Sequence, residues 1–434
     1  MSADMEQNEQ QFEHQGIHVH VMKTDKYKTT TLMVMLRAPL EKETVALRAL
    51  LPHVLQGGTK KWPSRQKLRV HLDDLYGARL SGDVRKSGEQ HVMTFFMDVA
   101  NERYLRDTDS LLQQALEVLS DVILHPELKD EAFVSEVVET EKRTLKQRIE
   151  SVYDDKMRYA NMKATEVMCK GEAYAIPAFG DIAGVEAITP TSLYEYYKGM
   201  LQTDNIDLYI VGDVDEKQVT DEIHQAFQLK QSNKHEPAKR PKSPVVKEVK
   251  VVAETQEIKQ GKLNMGFRTH THYGDADYAA MQVFNGMYGG FSHSKLFINV
   301  REKESLAYYA ASRLESHKGI LMVMAGIEFE KYDRAVEIIQ EQFSLMKKGD
   351  FTEDEIEQTK SMLRNQLLET SDSASGQIEL NYREVLSNAN QSVEKLLEQI
   401  ESVSREEIIA AANKCELDTI YFLKGGEENE SSAV

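Results

Sequence analysis

The chain has 434 residues, 41% of them hydrophobic and 29% charged, with a formal net charge of −18. That length and apolar content suffice for two substantial cores, while the negative balance argues against nucleic acid and anionic membrane surfaces as partners. Two cysteines, Cys169 and Cys415, are too few and too distant for a disulfide framework, so a reducing, cytoplasmic setting is expected.

The first fifteen residues are polar and acidic, without a basic start or an apolar stretch, and no run of 18 apolar residues occurs anywhere, so neither secretion nor membrane spanning is expected. Ile17 to Met22 and Thr29 to Arg37 then alternate apolar and polar residues and predict strands. Ala46, Leu47, Leu50, Leu51, Val54 and Leu55 recur at helical spacing, with Gly57 and Gly58 placed to cap the helix. Pro52 lies inside that helix, where it removes a donor, costs roughly 3 kcal/mol and predicts a bend. Glu89 to Val99 reads as a further strand. Ala115 to Leu119 heads a helix leading into a second over Glu139 to Ile149; Glu141 shares a stripe with Val134, Val138 and Leu145, which turns it inward, the alternative being a solvated or boundary acid. A helix over Thr189 to Leu201 and a strand over Ile206 to Gly212 close the half.

From Lys230 to Lys247 the chain collects Pro237, Pro241 and Pro244 with Lys234, Lys239, Arg240 and Lys242, which reads as an exposed, semi-rigid linker. The second half repeats the first. Strands are predicted over Val249 to Glu257, Lys262 to Thr269, Tyr308 to Ser312 and Gly319 to Glu328. A helix headed by Ala335 to Ile339 leads into Glu357 to Leu368, and the Ser404 to Lys414 helix precedes a strand over Leu417 to Leu423. Repetition of this kind implies duplication. The expected fold is α+β: two similar domains, residues 1–230 and 248–434 joined by linker 231–247, each an antiparallel-rich sheet covered by helices.

The stretch from Ala49 to Thr59 resembles the H-x-x-E-H helix, followed by G-T, of the insulinase/pitrilysin family of zinc peptidases, which includes the mitochondrial processing peptidases. Aligned on Gly58 and Thr59, Ala49 stands for the first His, Pro52 for the Glu, and only His53 is kept. Zinc takes about three protein ligands and a water whose pKa it lowers; Ala49 donates no lone pair and Pro52 accepts no proton. The family's third ligand is a Glu in a helix of the form E-(K/R)-x-x-V-x-x-E, and the matching stretch from Glu141 to Arg148 keeps the first acid but puts Arg148 at the ligand position. A guanidinium about 4 Å from a divalent cation is opposed by roughly 8 kcal/mol at an effective dielectric of 20. The interval from His53 is also several turns longer than the family's usual one, with the extra residues assigned to 101–112.

In the second half, Gly289 to Tyr308 is similar to the family's G-G-x-x-S-x-L-F…R-E-K-x-G-L-A-Y region, whose Arg and Tyr reach the substrate backbone from the half without zinc. The resemblance assigns Arg301 and Tyr308 to those roles. Ser305 departs from the usual glycine before the Tyr. The plain alternative makes Arg301 an ion-pair partner of Glu302 or Glu304 and Tyr308 an ordinary strand residue.

The resemblance spans nearly the whole chain. It implies two α+β domains per subunit and two subunits closing on a peptide, with the work divided in several bacterial members between a subunit carrying H-x-x-E-H and one lacking it. This chain is then expected to be the non-catalytic subunit. It would hold no cofactor of its own, bind peptide through Arg301 and Tyr308, and meet a homologous partner with an intact motif and the zinc; alone, it leaves room for a homodimer. A peptide-holding scaffold of the same fold is the structural alternative, and an active hydrolase built around His53 and Glu141 the enzymatic one.

Other features carry less. His18 with His20, and His270 with His272, share strand faces and read as polar alternation on solvent-facing strands. The Gly57–Gly58 and Gly289–Gly290 pairs lack the setting of a phosphate cradle and read as turns or caps. The alternating methionines, Met33, Met35, Met93, Met97, Met322 and Met324 among them, read as core.

Overall fold

The structure is a computed structural model that describes residues 9–106, 110–229, 235 and 243–426. Of the predicted linker 231–247, only His235 and residues 243–247 fall among the described residues. The chain forms two compact units: one of Met1–Glu150, Ile176–Lys239 and Ser373–Glu379, the other of Ser151–Ala175, Arg240–Asp372 and Leu380–Val434.

In the first unit, strands β1 (Glu9–His14), β2 (Ile17–Lys23), β3 (Thr29–Pro39), β4 (Arg79–Ser87) and β5 (Gln90–Ala100) join one late strand, while β6 (Leu128–Lys129) and β7 (Ala132–Phe133) form a small separate ribbon. The late strand, β8 (Asn205–Gly212), pairs parallel with β2 and antiparallel with β3, giving the order β1-β2-β8-β3-β5-β4. Because β3 and β8 are central, residues on both of their faces are buried, and β8 reads as a nearly unbroken apolar run. Leu32, Val34, Leu36, Phe95, Leu208 and Ile210 pack on one face against α1 (Val45–Leu55), α3 (Leu111–Leu124) and α4 (Ser135–Asp154); α2 (Arg65–Asp74) lies between the first two in sequence and is capped by Ser64.

After α4 the chain turns at Asp155, whose carboxylate caps α5 (Lys156–Met168). A division at the linker would leave α5 with the N-terminal half. Instead, Tyr159, Ala160, Ala164 and Met168 pack on Ile320, Met322, Tyr421 and Leu423, so α5 belongs to the second unit. The first unit is completed by α6 (Ile182–Glu186), α7 (Pro190–Thr203), started by a Thr189/Ser192 capping box and N-terminal Pro190, and α8 (Glu216–Ala226).

The second unit holds β9 (Lys250–Gln256), β10 (Gly261–Arg268), β11 (Ala307–Glu315), β12 (Ile320–Ile327) and β13 (Glu416–Gly425) in the order β11-β12-β10-β13-β9. Its helices are α9 (Tyr278–Asn285), α10 (Tyr332–Lys348), α11 (Glu353–Ser371), α12 (Ala374–Ser387, whose first turns fall in the first unit), α13 (Val393–Ser402) and α14 (Arg405–Lys414). Read from its other edge, β9-β13-β10-β12-β11 repeats β2-β8-β3-β5-β4, with the first pair parallel and the rest antiparallel in both. The duplication reaches single residues. Lys142 on α4 donates to the Ile188 carbonyl at 2.7 Å, and Lys360 on α11 donates to the Glu401 carbonyl at 3.0 Å, each a buried amine tying its helix to the chain just ahead of α7 or α14, the helix that precedes β8 or β13. The α+β reading with two similar, antiparallel-rich sheets thus matches the architecture; among the described residues, β1 is the strand of the larger sheet without a counterpart in the smaller.

Candidate functional site

The dismantled motif sits in the first unit, where α1, α2, β4 and α4 converge. Helix α1 runs through Pro52 to Leu55 and closes at Gln56, with the Gly57 N–H returning to the Val54 carbonyl at 2.9 Å and the Gln56 side chain donating to the Pro52 carbonyl at 2.8 Å. Ala49 is wholly buried in the core, its methyl group filling space where a ligand would have to reach outward. Pro52 is buried too, and β4 crosses so near that a Cβ on Gly82 would lie 3.0 Å from Pro52 Cβ. Glycine at 82 is what lets the strand pass.

His53 is half-buried, and burial lowers its pKa; Asp83 and Glu141 pull it upward while Arg148 and Arg65 push it down. Glu141 points inward, as its stripe on α4 predicted, and is 6% exposed. It is not an open ligand. Arg65 Nη2 donates to Glu141 Oε1 at 2.8 Å and to the His53 carbonyl at 3.2 Å. Two turns further along α4, Arg148 forks onto Asp83 of β4 at 2.8 and 2.7 Å and lies 4.0 Å over the Phe179 ring. Burial raises the Asp83 pKa, but the Arg148 and Val84 hydrogen bonds outweigh it and hold the carboxyl below its ordinary value. The five sequence positions therefore fall within one cluster, together with two residues that sequence reading missed, Arg65 and Asp83.

A zinc ion does not fit these residues. Ala49 and Pro52 supply no donor, Glu141 is committed to Arg65, and Asp83 is committed to the charge of Arg148. Among the described residues no group of three or more His, Cys, Asp or Glu could hold a metal. Two cations and two carboxylates already balance one another, so a divalent ion would meet both repulsion and occupied acceptors.

Next to Ala49, Arg48 forms a second network unseen in the sequence. It is completely buried, donating to Asp204 Oδ2 at 2.6 Å, to Tyr196 Oη at 3.2 Å, and to the Leu36 and His91 carbonyls at 2.9 and 3.2 Å. Burial disfavours its charge, but Asp204 and Tyr196 more than compensate and keep it protonated. Burial and the Arg48 charge push His91 down to about 3, so that ring stays neutral.

In the second unit, Arg301 lies in the π-helical stretch Phe297–Lys303, with its guanidinium 4.5 Å over Phe297 and Nε 3.8 Å from Glu302. That loose pair between half-exposed groups is worth little. Ser305 then adopts φ 49°, the left-handed conformation glycine tolerates best, and its carbonyl accepts from Lys331 Nζ. Tyr308 follows at the register shift where Ala307 faces Ile327 but Tyr309 already faces Gly326. It is the extra residue of a β-bulge on edge strand β11, and it is 69% exposed. Bulges re-aim side chains; here the phenol is directed away from the ladder. Upstream, a Cβ on Gly289 would lie 2.6 Å from Ser312 Oγ and 2.7 Å from Leu296, so this glycine is required by close packing. Ser305→Gly should relieve the left-handed strain and raise stability by about 1 kcal/mol, measurable as an increased urea midpoint with unchanged slope; an unchanged or lowered midpoint would show that residue 305 bears no strain.

The histidine pairs divide. His18 is exposed, but His20 is buried, stacked 4.2 Å from Tyr209, 2.9 Å from Glu9 and 3.5 Å from Asp207, which corrects the reading of a solvent-facing strand. Burial opposes its charge; Asp207 and Glu9 overcome that and raise its pKa from 6.5 to about 8. Its stabilising contribution is therefore fully present below pH 6.5 and lost as pH rises through 8. A shift of this size corresponds to about 2 kcal/mol. The stability difference between wild type and His20→Gln should shrink across that window in urea unfolding; a difference independent of pH would refute the linkage. His270 pairs with Glu416 and His272 lies buried near Asp275. Both cysteines are buried, and burial pushes Cys415 up to about 12, far from a reactive thiolate. No helix among the described residues is long and apolar enough to cross a membrane.

Fold and site together define a peptidase-like protein whose metal helix has been taken apart. Residues 187–363 match the family model described as the peptidase M16 inactive domain. Over 426 residues the chain is 50% identical to the probable inactive metalloprotease YmfF of Bacillus subtilis, covering 97% of this chain and 98% of that protein. It is 22% identical over 317 residues to the uncharacterized zinc protease YmxG of the same organism, covering 72% and 74%. A crystal structure of a conserved protein from Enterococcus faecalis superposes with a TM-score of 0.91 at 34% identity, over 98% of this chain and 100% of that one. The chain belongs to the M16 family of metallopeptidases and their inactive homologues, the insulinase/pitrilysin family its motifs resemble.

Proposed function

We propose that this chain is the non-catalytic, substrate-binding subunit of a heterodimeric zinc metallopeptidase acting on peptides in the cytoplasm. The observation that carries the proposal is an asymmetry: three of the motif positions are filled by a methyl group, a proline and the ion-paired Arg148, while Tyr308 stands out on a bulge that leaves its phenol free for another molecule. A structural tyrosine would be packed. A phenol O–H and the Arg301 guanidinium donate to a peptide carbonyl as its oxygen gains charge, and each such donor stabilises the transition state by about 3 kcal/mol. The partner would be a homologue with an intact H-x-x-E-H helix and the zinc, and the peptide would add as a strand to a sheet edge of that partner.

Co-expression with such a homologue tests this directly. Cleavage of unstructured peptides is expected from the complex and not from this chain alone. A homologue that cuts equally well without this chain, or never associates with it, would favour the scaffold reading.

A further inference from the structure

Strand β9 ends its sheet, and among the described residues no strand lies on its outer side. Its duplicate in the first unit, β2, is covered by β1, which pairs antiparallel along it from His14–Ile17 to Glu9–Met22. Among the described residues β2 thus carries an antiparallel strand that β9 does not. Of the usual protections of an edge β9 keeps only its charges, Lys250 and Glu254, and both are engaged by their own unit. It contains no proline, its register with β13 from Lys250 to Gln256 is unbroken, and Val249 and Val251 are 37% and 63% exposed.

The hydrogen-bonding parity of β9 selects what can add to it. The Gln256 carbonyl accepts from Gly426 on the β13 side, so the alternate residues Val251, Ala253 and Thr255 turn their peptide groups outward. An antiparallel copy of the same strand, related by a two-fold axis at Val252, sets Val251 opposite Ala253 and Val249 opposite Thr255, which matches outward groups with outward groups. It also sets Lys250 opposite Glu254 twice. Lys250 lies on the face covered by α5, where its amine reaches the Met168 carbonyl, and Glu254 lies on the same face, accepting from Tyr159 and Tyr421. A two-fold interface requires a self-complementary surface, and this strand has one in both charge and parity. We propose that β9 is a dimerisation edge at which a second copy of this chain adds antiparallel about Val252, joining two five-stranded sheets into one. This pairing is independent of any partner with an intact metal helix.

Sedimentation equilibrium of the purified chain should report a dimer, and Val251→Lys should halve the mass while keeping a single cooperative unfolding transition whose midpoint no longer rises with protein concentration. Position 252 faces itself across the axis, so Val252→Cys should form a disulfide-linked dimer under mild oxidation, while Val251→Cys, facing Ala253, should crosslink far more slowly. A monomeric wild-type chain, a dimer indifferent to Val251→Lys, or equal crosslinking at 251 and 252 would overturn the proposal. In the first case the edge would be left to a strand from a different protein.

Discussion

In a complex reconstituted with a homologue carrying an intact H-x-x-E-H helix, Tyr308→Phe is expected to lower kcat about 100-fold with little change in KM. The substitution removes one hydroxyl group. If that hydroxyl donates to a carbonyl only as negative charge develops, its loss falls on the transition state and not on ground-state binding. Stability should hardly move, since Tyr308 is an exposed bulge residue with no packed environment to lose. Arg301→Ala is expected to act in the same direction, and the double variant to lose less than the product of the two, because the pair would serve one oxygen. Unfolding curves matching wild type would separate this loss from misfolding. Full turnover by the Tyr308→Phe complex would remove the tyrosine from the mechanism.

The second large effect concerns the fold. Arg48→Met should destabilise the first unit by about 3–5 kcal/mol, because it takes the guanidinium away from the buried Asp204 carboxylate and from the Leu36 and His91 carbonyls. The companion double variant Arg48→Met/Asp204→Leu should recover much of the loss, since removing both charges takes away the penalty together with the attraction. Urea unfolding of the three proteins measures both terms. A loss below about 1 kcal/mol in the single variant would mean that water or another group relieves Asp204.

These two residues mark what the sequence singles out and what it leaves unmarked. Tyr308 was legible because its neighbours from Gly289 onward form one continuous pattern, and the structure adds the reason Ser305 can replace glycine there: its φ of 49° is strained yet attained. Ala49, Pro52, His53, Glu141 and Arg148 were legible for the same reason, as positions on two helices with strong apolar periodicity. Arg48 and Asp204 were not, being 156 residues apart, in segments that read equally well as solvated. Arg65 and Asp83 were hidden in the same way; a charge in a polar stretch gives no sign of its partner until the chain is folded.

Among the elements, the central strands β3, β8, β10 and β12 declare themselves through buried apolar runs, whereas β1 (EQQFEH) and β4 (RLSGDVRKS) are edge strands too polar to show a core-facing alternation. Helix α5 was legible as neither element nor member of the second unit, because its apolar face, Tyr159, Ala160, Ala164 and Met168, complements a sheet whose strands all come later in the sequence, beyond the linker. Duplication was visible as weak echoes and becomes unmistakable only in strand order.

The central claim is that ion-paired arginines and donor-free side chains have replaced a metal site. Elemental analysis of the isolated chain after equilibration with zinc, read beside a peptide-cleavage assay, tests it most directly. Zinc far below one equivalent and no cleavage are predicted. One tightly held equivalent that disappears in His53→Ala, accompanied by peptide hydrolysis, would contradict the account.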